Sequence, residues 1–151
     1  MTALKRISGL HHYAYRCRNA EETRSFYEDL LGLPLAHVIQ ADTVPSTGAF
    51  NPYVHLFFEY ADGSYIAFFD LGDETSCTPD PETPSWVNHF AMQVKTVAEV
   101  EEWKKRLEAA GIDVVGVTDH EFVKSVYFFD PNGIRLEITC EVIGESERQT
   151  H

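Results

Sequence analysis

The chain has 151 residues, and its 24 Asp and Glu residues outnumber its 12 Lys and Arg residues, so the formal net charge is −12. Because nucleic acids and anionic membranes are bound mainly through Lys and Arg, this balance argues against both as partners. The hydrophobic fraction of 44% is typical of a globular domain, and no apolar run approaches the roughly 20 residues that span a membrane. The sequence therefore predicts one globular domain over residues 1–151.

The cysteines indicate a reducing compartment. Cys17, Cys77 and Cys140 are odd in number and widely spaced, and two of them fall inside predicted strands. No apolar signal segment follows the first residues of the chain. We therefore expect reduced thiols in a cytoplasmic protein.

The first half of the chain, 7–71, begins with a predicted strand and a predicted helix. Alternation of residue types with a period of two predicts a strand over 7–18. Asn19 can accept a hydrogen bond from the first helical turn, and apolar residues at helical spacing follow it. Gly32 is a suitable residue to end this helix, because glycine adopts the left-handed conformation found after many helices.

Three further strands complete the first half. A short strand is predicted over 34–39, and residues 40–52 are interpreted as a loop because they are rich in Pro, Ser, Thr and Gly. Aromatic residues indicate strands over 53–60 and 64–71, joined by a hairpin turn at Asp62-Gly63. The predicted order is strand, helix, strand, strand, strand.

A linker over 72–84 separates this half from a second half, 85–142, which repeats the same order. The linker contains three prolines among acidic residues, a composition that resists regular structure. Thr96 is a suitable N-cap for the second helix. The predicted elements of the second half are strands over 85–95, 112–117, 123–129 and 134–142 and a helix that ends at Gly111.

Matching residues recur at equal spacing in the two halves. His12 precedes the helix cap Asn19 by seven residues, and His89 precedes the cap Thr96 by seven residues. Each half alone would leave an apolar face exposed, so we expect the two halves to pair across a shared core.

Three potential metal ligands, His12, His89 and Glu137, are predicted to lie on the polar faces of three strands. Each shares its face with small or polar residues, as expected for the wall of an occupied pocket. Bulky apolar residues occupy the opposite faces, which we expect to pack on the helices. The face partners are Ala14 and Arg16 for His12, Ala91 and Gln93 for His89, and Arg135 and Thr139 for Glu137.

Residues 12–27, the turn 130–133 with Leu136 and Glu137 behind it, and the two βαβββ halves resemble the vicinal oxygen chelate superfamily. This group includes glyoxalase I, extradiol ring-cleaving dioxygenases, fosfomycin-modifying enzymes and bleomycin-binding resistance proteins. The resemblance covers about 7–142. It implies an α+β fold in which two paired βαβββ modules form a curved eight-stranded sheet around a central metal cavity, and it implies a homodimer.

Carried over residue by residue, the resemblance makes His12, His89 and Glu137 the ligands of a divalent metal ion. Two imidazoles and one carboxylate can occupy one face of the ion and leave positions open for substrate or oxygen. Fe(II) is favoured, with Mn, Zn or Ni as alternatives. Glyoxalase I has a fourth ligand, a Glu in its first half, but counting four residues from the turn glycine leads to Ala67 here. The three-ligand pattern of the dioxygenases and fosfomycin enzymes therefore fits better.

Two further residues resemble catalytic groups of the dioxygenase branch, namely Tyr127 and His120. A phenol and an imidazole near a metal can orient a catecholate and move its proton. Whether Tyr127 faces Glu137 depends on the hairpin register. A five-residue turn pairs these two residues, whereas a four-residue turn pairs Val126 with Glu137.

The resemblance thus implies a metal-dependent enzyme, most closely an Fe(II) extradiol-type dioxygenase that acts on a small catechol-like substrate. One alternative is a glyoxalase-like isomerase or lyase, or a fosfomycin-type transferase, which would need a fourth ligand or a cationic cluster. Another is a metal-free drug-binding resistance protein. His11 is interpreted as a packed core residue, and His55, which could line the pocket, is interpreted as a structural residue.

Overall fold

The computed structural model describes residues 3–75, 80–120 and 122–142, without the side chain of His120. The chain divides into two compact units, Met1–Cys77 and Thr78–His151. Each unit has the order strand, helix, strand, strand, strand, so the α+β class and the two βαβββ modules are confirmed. The eight strands of the described ranges lie in two four-stranded sheets, one in each unit. No helix in this part of the chain is long and apolar enough to cross a membrane.

The first sheet has the strand order β1-β4-β3-β2, with β1 parallel to β4 and the other neighbours antiparallel. Asn19 caps the helix as predicted, because its Oδ1 accepts a hydrogen bond from the Glu22 amide at 2.9 Å. The elements are β1 (His12–Cys17), α1 (Ala20–Arg24) with a π-helical continuation (Ser25–Leu30), β2 (Leu35–Thr43), β3 (Phe50–Glu59) and β4 (Tyr65–Asp70).

The core of the first unit lies between this helix and one side of the sheet. Tyr27 is fully buried, with its ring centroid 5.5 Å from Phe58 and 4.9 Å from Phe68. Aromatic rings at these distances combine a large buried apolar area with favourable ring-ring contacts. The helix therefore covers the side of the sheet that carries Phe58 and Phe68.

Two predicted strand boundaries in the first unit are wrong. The predicted strand over 7–18 begins only at His12. The predicted loop over 40–52 is shorter, because β2 continues to Thr43 and β3 begins at Phe50. The two strands pair as a hairpin, and this pairing satisfies backbone groups of residues whose composition favours a loop.

The second sheet has the strand order β5-β8-β7-β6, with β5 parallel to β8. The predicted strand over 85–95 is much shorter in the structure, since residues 85–88 form turns before Phe90. The elements are β5 (Phe90–Gln93), α2 (Val97–Ala109), β6 (Val115–His120), β7 (Val123–Phe129) and β8 (Arg135–Glu141).

The core of the second unit lies between α2 and its sheet. Thr96 caps α2 as predicted, since its Oγ1 accepts a hydrogen bond from the Glu99 amide at 3.1 Å. Val100 and Leu107 are fully buried on the sheet-facing side of α2, which packs on β7 and β8. Cys17 and Cys140 are buried and are not joined in a disulfide, and Cys77 lies outside the described residues.

Candidate functional site

The turn between β7 and β8 sets which residues share a face. The Asp130 carboxylate accepts hydrogen bonds from the backbone amides of Asn132 and Ile134, both at 2.8 Å, and so holds a five-residue turn closed. With this turn, Tyr127 pairs directly with Glu137 across the hairpin. Of the two registers that the sequence allowed, the structure has the one that pairs Tyr127 with Glu137, so the phenol lies on the face of the carboxylate.

His89 and Glu137 come together on this face. The His89 Nε2 atom lies 2.9 Å from Glu137 Oε1, and the Glu137 side chain is only 8% exposed. The other ring nitrogen, Nδ1, lies 3.0 Å from the Val87 carbonyl oxygen. Since a carbonyl oxygen only accepts, Nδ1 carries the proton, and Nε2 is left facing the carboxylate.

The chemistry of this pair fits a bound cation. An unprotonated Nε2 and a carboxylate oxygen at 2.9 Å would direct lone pairs at one another, so the pair needs a second ring proton or a cation. Two ligands bound at about 2.1 Å on neighbouring octahedral positions lie about 3 Å apart, which is close to the observed separation. The Val87 contact is also the kind of outer hydrogen bond that orients metal-binding histidines. His89 and Glu137 therefore fit a divalent ion.

Ser125 is a site residue that the sequence prediction missed. Its hydroxyl donates to Glu137 Oε2 at 2.5 Å and lies 2.8 Å from Thr139 Oγ1, and the residue is fully buried. Both oxygens of the carboxylate thus have a partner, His89 for one and Ser125 for the other. The available signal was the alternation along β7, which places Ser125 on the face of Tyr127.

Tyr127 lies between an imidazole and a guanidinium. Its ring centroid is 6.1 Å from that of His89, and the Arg135 Cζ lies 4.1 Å above its ring. Partial burial, together with the negative charge of Glu137, raises the pKa of the Tyr127 phenol, although a hydrogen bond with Ser125 acts in the opposite direction. The phenol therefore holds its proton throughout the neutral pH range.

His12 lies in the first unit, on the side of the sheet opposite the helix. This side, called here the histidine face, is defined by the alternation along four paired strands. Its strand residues are His12, Ala14 and Arg16 of β1, Tyr65, Ala67 and Phe69 of β4, Tyr53, His55, Phe57 and Glu59 of β3, and His37, Ile39 and Ala41 of β2. Ala14 and Arg16 share this side with His12 as predicted, and the neighbouring strands β3 and β4 add four Phe or Tyr residues that the sequence analysis did not assign to it.

Phe57 lies among three imidazoles on the histidine face. Its ring centroid is 5.3 Å from His12, 6.0 Å from His37 and 4.2 Å from His55. The sequence missed this arrangement because the three histidines come from three different strands. Only the register of β1, β4, β3 and β2 places them on one face.

His55 is buried but has an unsatisfied nitrogen. The residue is 9% exposed and its ring stacks on Phe69 with centroids 3.7 Å apart, yet Nε2 has no hydrogen-bond partner among the described residues. Burial lowers the pKa of the His55 imidazole, with His12 acting in the same direction, so the ring is neutral at pH 7. A purely structural histidine normally has its buried nitrogens paired.

His11 was predicted to be a packed core residue, and this prediction is wrong. The residue is exposed, with its Nδ1 atom 2.8 Å from Nδ1 of His12 and its ring beside Tyr65. The prediction assumed that the strand alternation extends through His11, but β1 begins one residue later. Because His11 precedes the strand, the alternation of side chains along β1 does not place its side chain on the side covered by the helix.

The position of the fourth glyoxalase ligand holds Ala67, as counted from the sequence. Ala67 pairs with Ala14 in the first sheet, as Glu137 pairs with Ala91 in the second. The nearby Asp70 lies on the opposite side of the sheet and accepts from the Ala20 amide at 2.8 Å. The first unit thus offers no carboxylate at the position equivalent to Glu137.

Of the predicted catalytic residue His120, only the backbone is described. His120 is the last residue of β6, and its side chain lies outside the described part of the structure. Within the described ranges of either unit, no group of three or more His, Cys, Asp or Glu side chains is arranged to hold a metal ion. His89, Glu137 and Tyr127 are brought together in the second unit, and His12 lies in the first.

Comparison with known proteins identifies the family to which the chain belongs. A model of the Glyoxalase/Bleomycin resistance protein/Dioxygenase superfamily matches residues 9–138. The chain therefore belongs to this superfamily. Glyoxylase I 4 from Arabidopsis thaliana is 28% identical over 160 residues, which cover 94% of this chain and 80% of that protein.

Two solved structures share the fold. The fosfomycin resistance protein FosX from Listeria monocytogenes, crystallised with Mn(II) and a sulfate ion, is 22% identical with a TM-score of 0.65 and covers 95% of this chain and 99% of its own. A glyoxylase/bleomycin resistance protein/dioxygenase domain from Frankia sp. EAN1pec is 17% identical with a TM-score of 0.72, over 90% of this chain and 99% of its own. These similarities show the fold.

Proposed function

We propose that this protein is a metal-dependent enzyme, an extradiol-type ring-cleaving dioxygenase that acts on a small catechol-like substrate. The proposed ligands of the ion are His12, His89 and Glu137, and Fe(II) is the favoured metal. The observation that carries the proposal is the His89–Glu137 pair, 2.9 Å apart, with the Glu137 carboxylate buried and the Tyr127 phenol beside it. Membership of a superfamily that includes divalent-metal proteins supports it.

The protein groups around the proposed ion have separate tasks. A bound divalent ion would chelate two neighbouring substrate oxygens, and Fe(II) in particular would allow activation of molecular oxygen. The Val87 carbonyl orients the His89 ring, and the Ser125 hydroxyl orients the Glu137 carboxylate. Both contacts reduce the reorganisation that binding an ion would otherwise require.

Tyr127 is the proposed acid-base group. Its phenol holds a proton at neutral pH and lies on the face of Glu137, within reach of a ligand oxygen bound there. A positioned phenol of this kind can donate to a catecholate oxygen and so orient the ring. His120 remains a proposed second proton-transfer residue.

The competing activities have weaker support in the second unit. A fosfomycin-type transferase needs cations for a phosphonate, but Arg135 is engaged by the Tyr127 ring and donates to the Trp86 carbonyl at 2.9 Å. Glyoxalase I has a fourth metal ligand, a carboxylate, at the position where this chain has Ala67. We also propose a homodimer, which light scattering of the purified protein tests directly.

Metal content and oxygen uptake test the proposed function. We expect the wild-type protein to bind about one divalent ion per chain, and Glu137→Gln to lower the affinity by more than the roughly 10–100-fold typical for residues that only orient a ligand, because it removes a charged ligand. Glu101→Gln, an exposed change on α2, is the matched control and should leave the affinity unchanged. After anaerobic reconstitution with Fe(II), oxygen uptake across a panel of catechols measures the activity.

Two results would contradict the proposal at different levels. Absence of bound metal, with thermal stability unchanged by a chelator, would eliminate the metal-dependent enzyme altogether. Bound metal without oxygen uptake on any catechol would eliminate the dioxygenase and favour the isomerase or transferase.

A further inference from the structure

A turn over residues 84–87 lies beside the proposed metal site and holds the ring of His89. The Val87 amide donates to the Pro84 carbonyl at 3.1 Å and closes the turn, and the Val87 carbonyl accepts from His89 Nδ1 at 3.0 Å. We propose that Arg135 is a positioning residue of this site, because it fastens the turn to the sheet and so fixes the Val87 carbonyl against His89.

This inference rests on the proposed function only where it assigns a metal ion to His89. The contacts themselves lie within the second unit and need no ion. They give a task to Arg135, which the sequence places only on the face of Glu137.

The Arg135 guanidinium is held at two points. Its Nη1 atom donates to the Trp86 carbonyl at 2.9 Å, and its Cζ atom lies over the Tyr127 ring, 4.1 Å from the ring centroid. The two contacts restrict a long side chain that would otherwise sample many rotamers, and the flat guanidinium suits both of them. Arg135 thus joins the turn to β7 and β8, the strands that carry Tyr127 and Glu137.

The turn has little other support from the sheet. Residues 84–87 are all exposed, and the apolar side chains of Trp86 and Val87 remain 65% and 41% exposed, so packing holds them weakly. Within the described parts of β5 to β8, no side chain other than Arg135 donates a hydrogen bond to this turn. Because a hydrogen bond from a charged group is stronger than one between neutral groups, this contact is the main fastening of the turn.

The effect of Arg135 reaches His89 through the backbone. The Trp86 and Val87 carbonyls are neighbours in the chain, so a bond that fixes the first restricts the rotation of the second. With Nδ1 of His89 donating to Val87, Nε2 is directed at Glu137, as binding of a metal ion by both side chains requires. No side-chain substitution removes the Val87 carbonyl, so Arg135 is the side chain through which this orientation can be altered.

The charge of Arg135 makes the inference distinguishable from a purely electrostatic role. Arg135 shares the face of Glu137, so its positive charge repels a divalent ion bound there. Removal of this charge alone should therefore tighten metal binding. Removal of the hydrogen bond to Trp86 should instead weaken metal binding, because the turn no longer holds the His89 ring. The two explanations predict changes of opposite sign for the same variant.

Arg135→Met tests the inference, since methionine keeps an apolar chain against the Tyr127 ring but donates no hydrogen bond. In the chelator-treated full chain, we expect the Val87 amide and the His89 Nδ1 proton to exchange with water about tenfold faster than in the wild type, as measured by NMR. Titration with Mn(II) or Zn(II) should give an affinity roughly tenfold lower. Arg106→Met, an exposed change on α2, is the matched control and should alter none of these values.

Two further variants keep the test decisive if Arg135→Met folds poorly. Arg135→Lys retains a cationic donor and should recover part of the exchange protection and of the metal affinity. Val87→Pro removes the amide that closes the turn but leaves Arg135 in place, and it should weaken metal binding about as much as Arg135→Met. If Arg135 acted through its charge alone, Val87→Pro would bind metal like the wild type.

The inference and the proposed function fail in different ways. Wild-type exchange rates at Val87 and His89 in Arg135→Met, or metal binding by this variant as tight as in the wild type or tighter, would overturn the inference. A wild-type protein that binds no metal would overturn the proposed function. The exchange rates of the chelator-treated protein would then still decide whether Arg135 holds the turn and the His89 ring.

Discussion

The helix-facing sides of the two sheets are alike, whereas their opposite sides differ in chemistry. Phe58 in the first unit and Phe128 in the second each lie four residues before the Asp or Asn of a turn, and both are buried. On the opposite sides, the first unit has the aromatic histidine face, and the second has the buried Glu137 carboxylate held by His89 and Ser125.

This difference indicates how a duplicated module can acquire two tasks. Packing against a helix requires close fit and tolerates few changes, so it keeps the helix-facing side similar in both units. The other side is released from that requirement. One copy has Ala67 where the other has Glu137, and aromatic and imidazole rings occupy the neighbouring positions of the copy without the carboxylate.

The largest expected effect tests the shared side of the comparison. Phe58→Ala and Phe128→Ala each remove a buried ring, and each should lower the free energy of unfolding by about 3–5 kcal/mol. Denaturant unfolding followed by circular dichroism measures the change. Phe129→Ala, on an exposed ring next to Phe128, should cost far less.

A cost that differs strongly between Phe58→Ala and Phe128→Ala would break the proposed equivalence of the two helix-facing sides. Hydrogen exchange then identifies which sheet has lost protection.

A smaller effect tests the site of the second unit. Ser125→Ala removes the hydroxyl that holds Glu137 Oε2, and it should lower the affinity for Mn(II) or Fe(II) roughly tenfold, as is typical for groups that orient a ligand. Ser125→Thr retains the hydroxyl and should restore part of the affinity. Metal titration of the chelator-treated protein measures both variants.

A control serine in the first unit is Ser64 at the first hairpin turn, and Ser64→Ala should leave metal affinity unchanged. If Ser125→Ala binds metal as tightly as wild type, Ser125 has no positioning role.

The smallest effect concerns the helix caps. Asn19→Ala and Thr96→Ala should each destabilise their own unit by about 1 kcal/mol, because each leaves an amide of the first helical turn without its partner. Asn19→Ser and Thr96→Ser keep a capping oxygen and should be nearly neutral. Thermal unfolding of the four variants measures this, and an Ala variant as stable as its Ser counterpart would contradict the role of that cap.

Much of the fold was predictable because its signals are local. The caps Asn19 and Thr96 and the turns at Asp62-Gly63 and Asn132-Gly133 depend on residues a few positions apart. The prediction of β7 over 123–129 also matches the structure. Strand ends were less predictable, as the hairpin of β2 and β3 shows, because they depend on how far pairing extends between two strands and not on the composition of each segment alone.

The candidate site was predictable in its residue types and only partly in its arrangement. The sequence identified His12, His89 and Glu137 as potential ligands, and the structure brings two of them, His89 and Glu137, to 2.9 Å. The sequence did not decide between the two hairpin registers that place Tyr127 on or off the face of Glu137. It did not identify Ser125 as a site residue. His55 was interpreted as structural because a single strand pattern does not show that its nitrogen lacks a partner.

The sequence by itself determined the order of elements, the two βαβββ halves and the resemblance to a superfamily that the family match establishes. These features follow from local propensity and from the spacing of repeated residues. Only the tertiary structure decided which side chains meet across strands, namely Tyr127 with Glu137, and His55 with Phe57 and Phe69. The reason is that a shift of one residue in strand register moves every side chain to the other face, while the residue pattern within each strand remains the same.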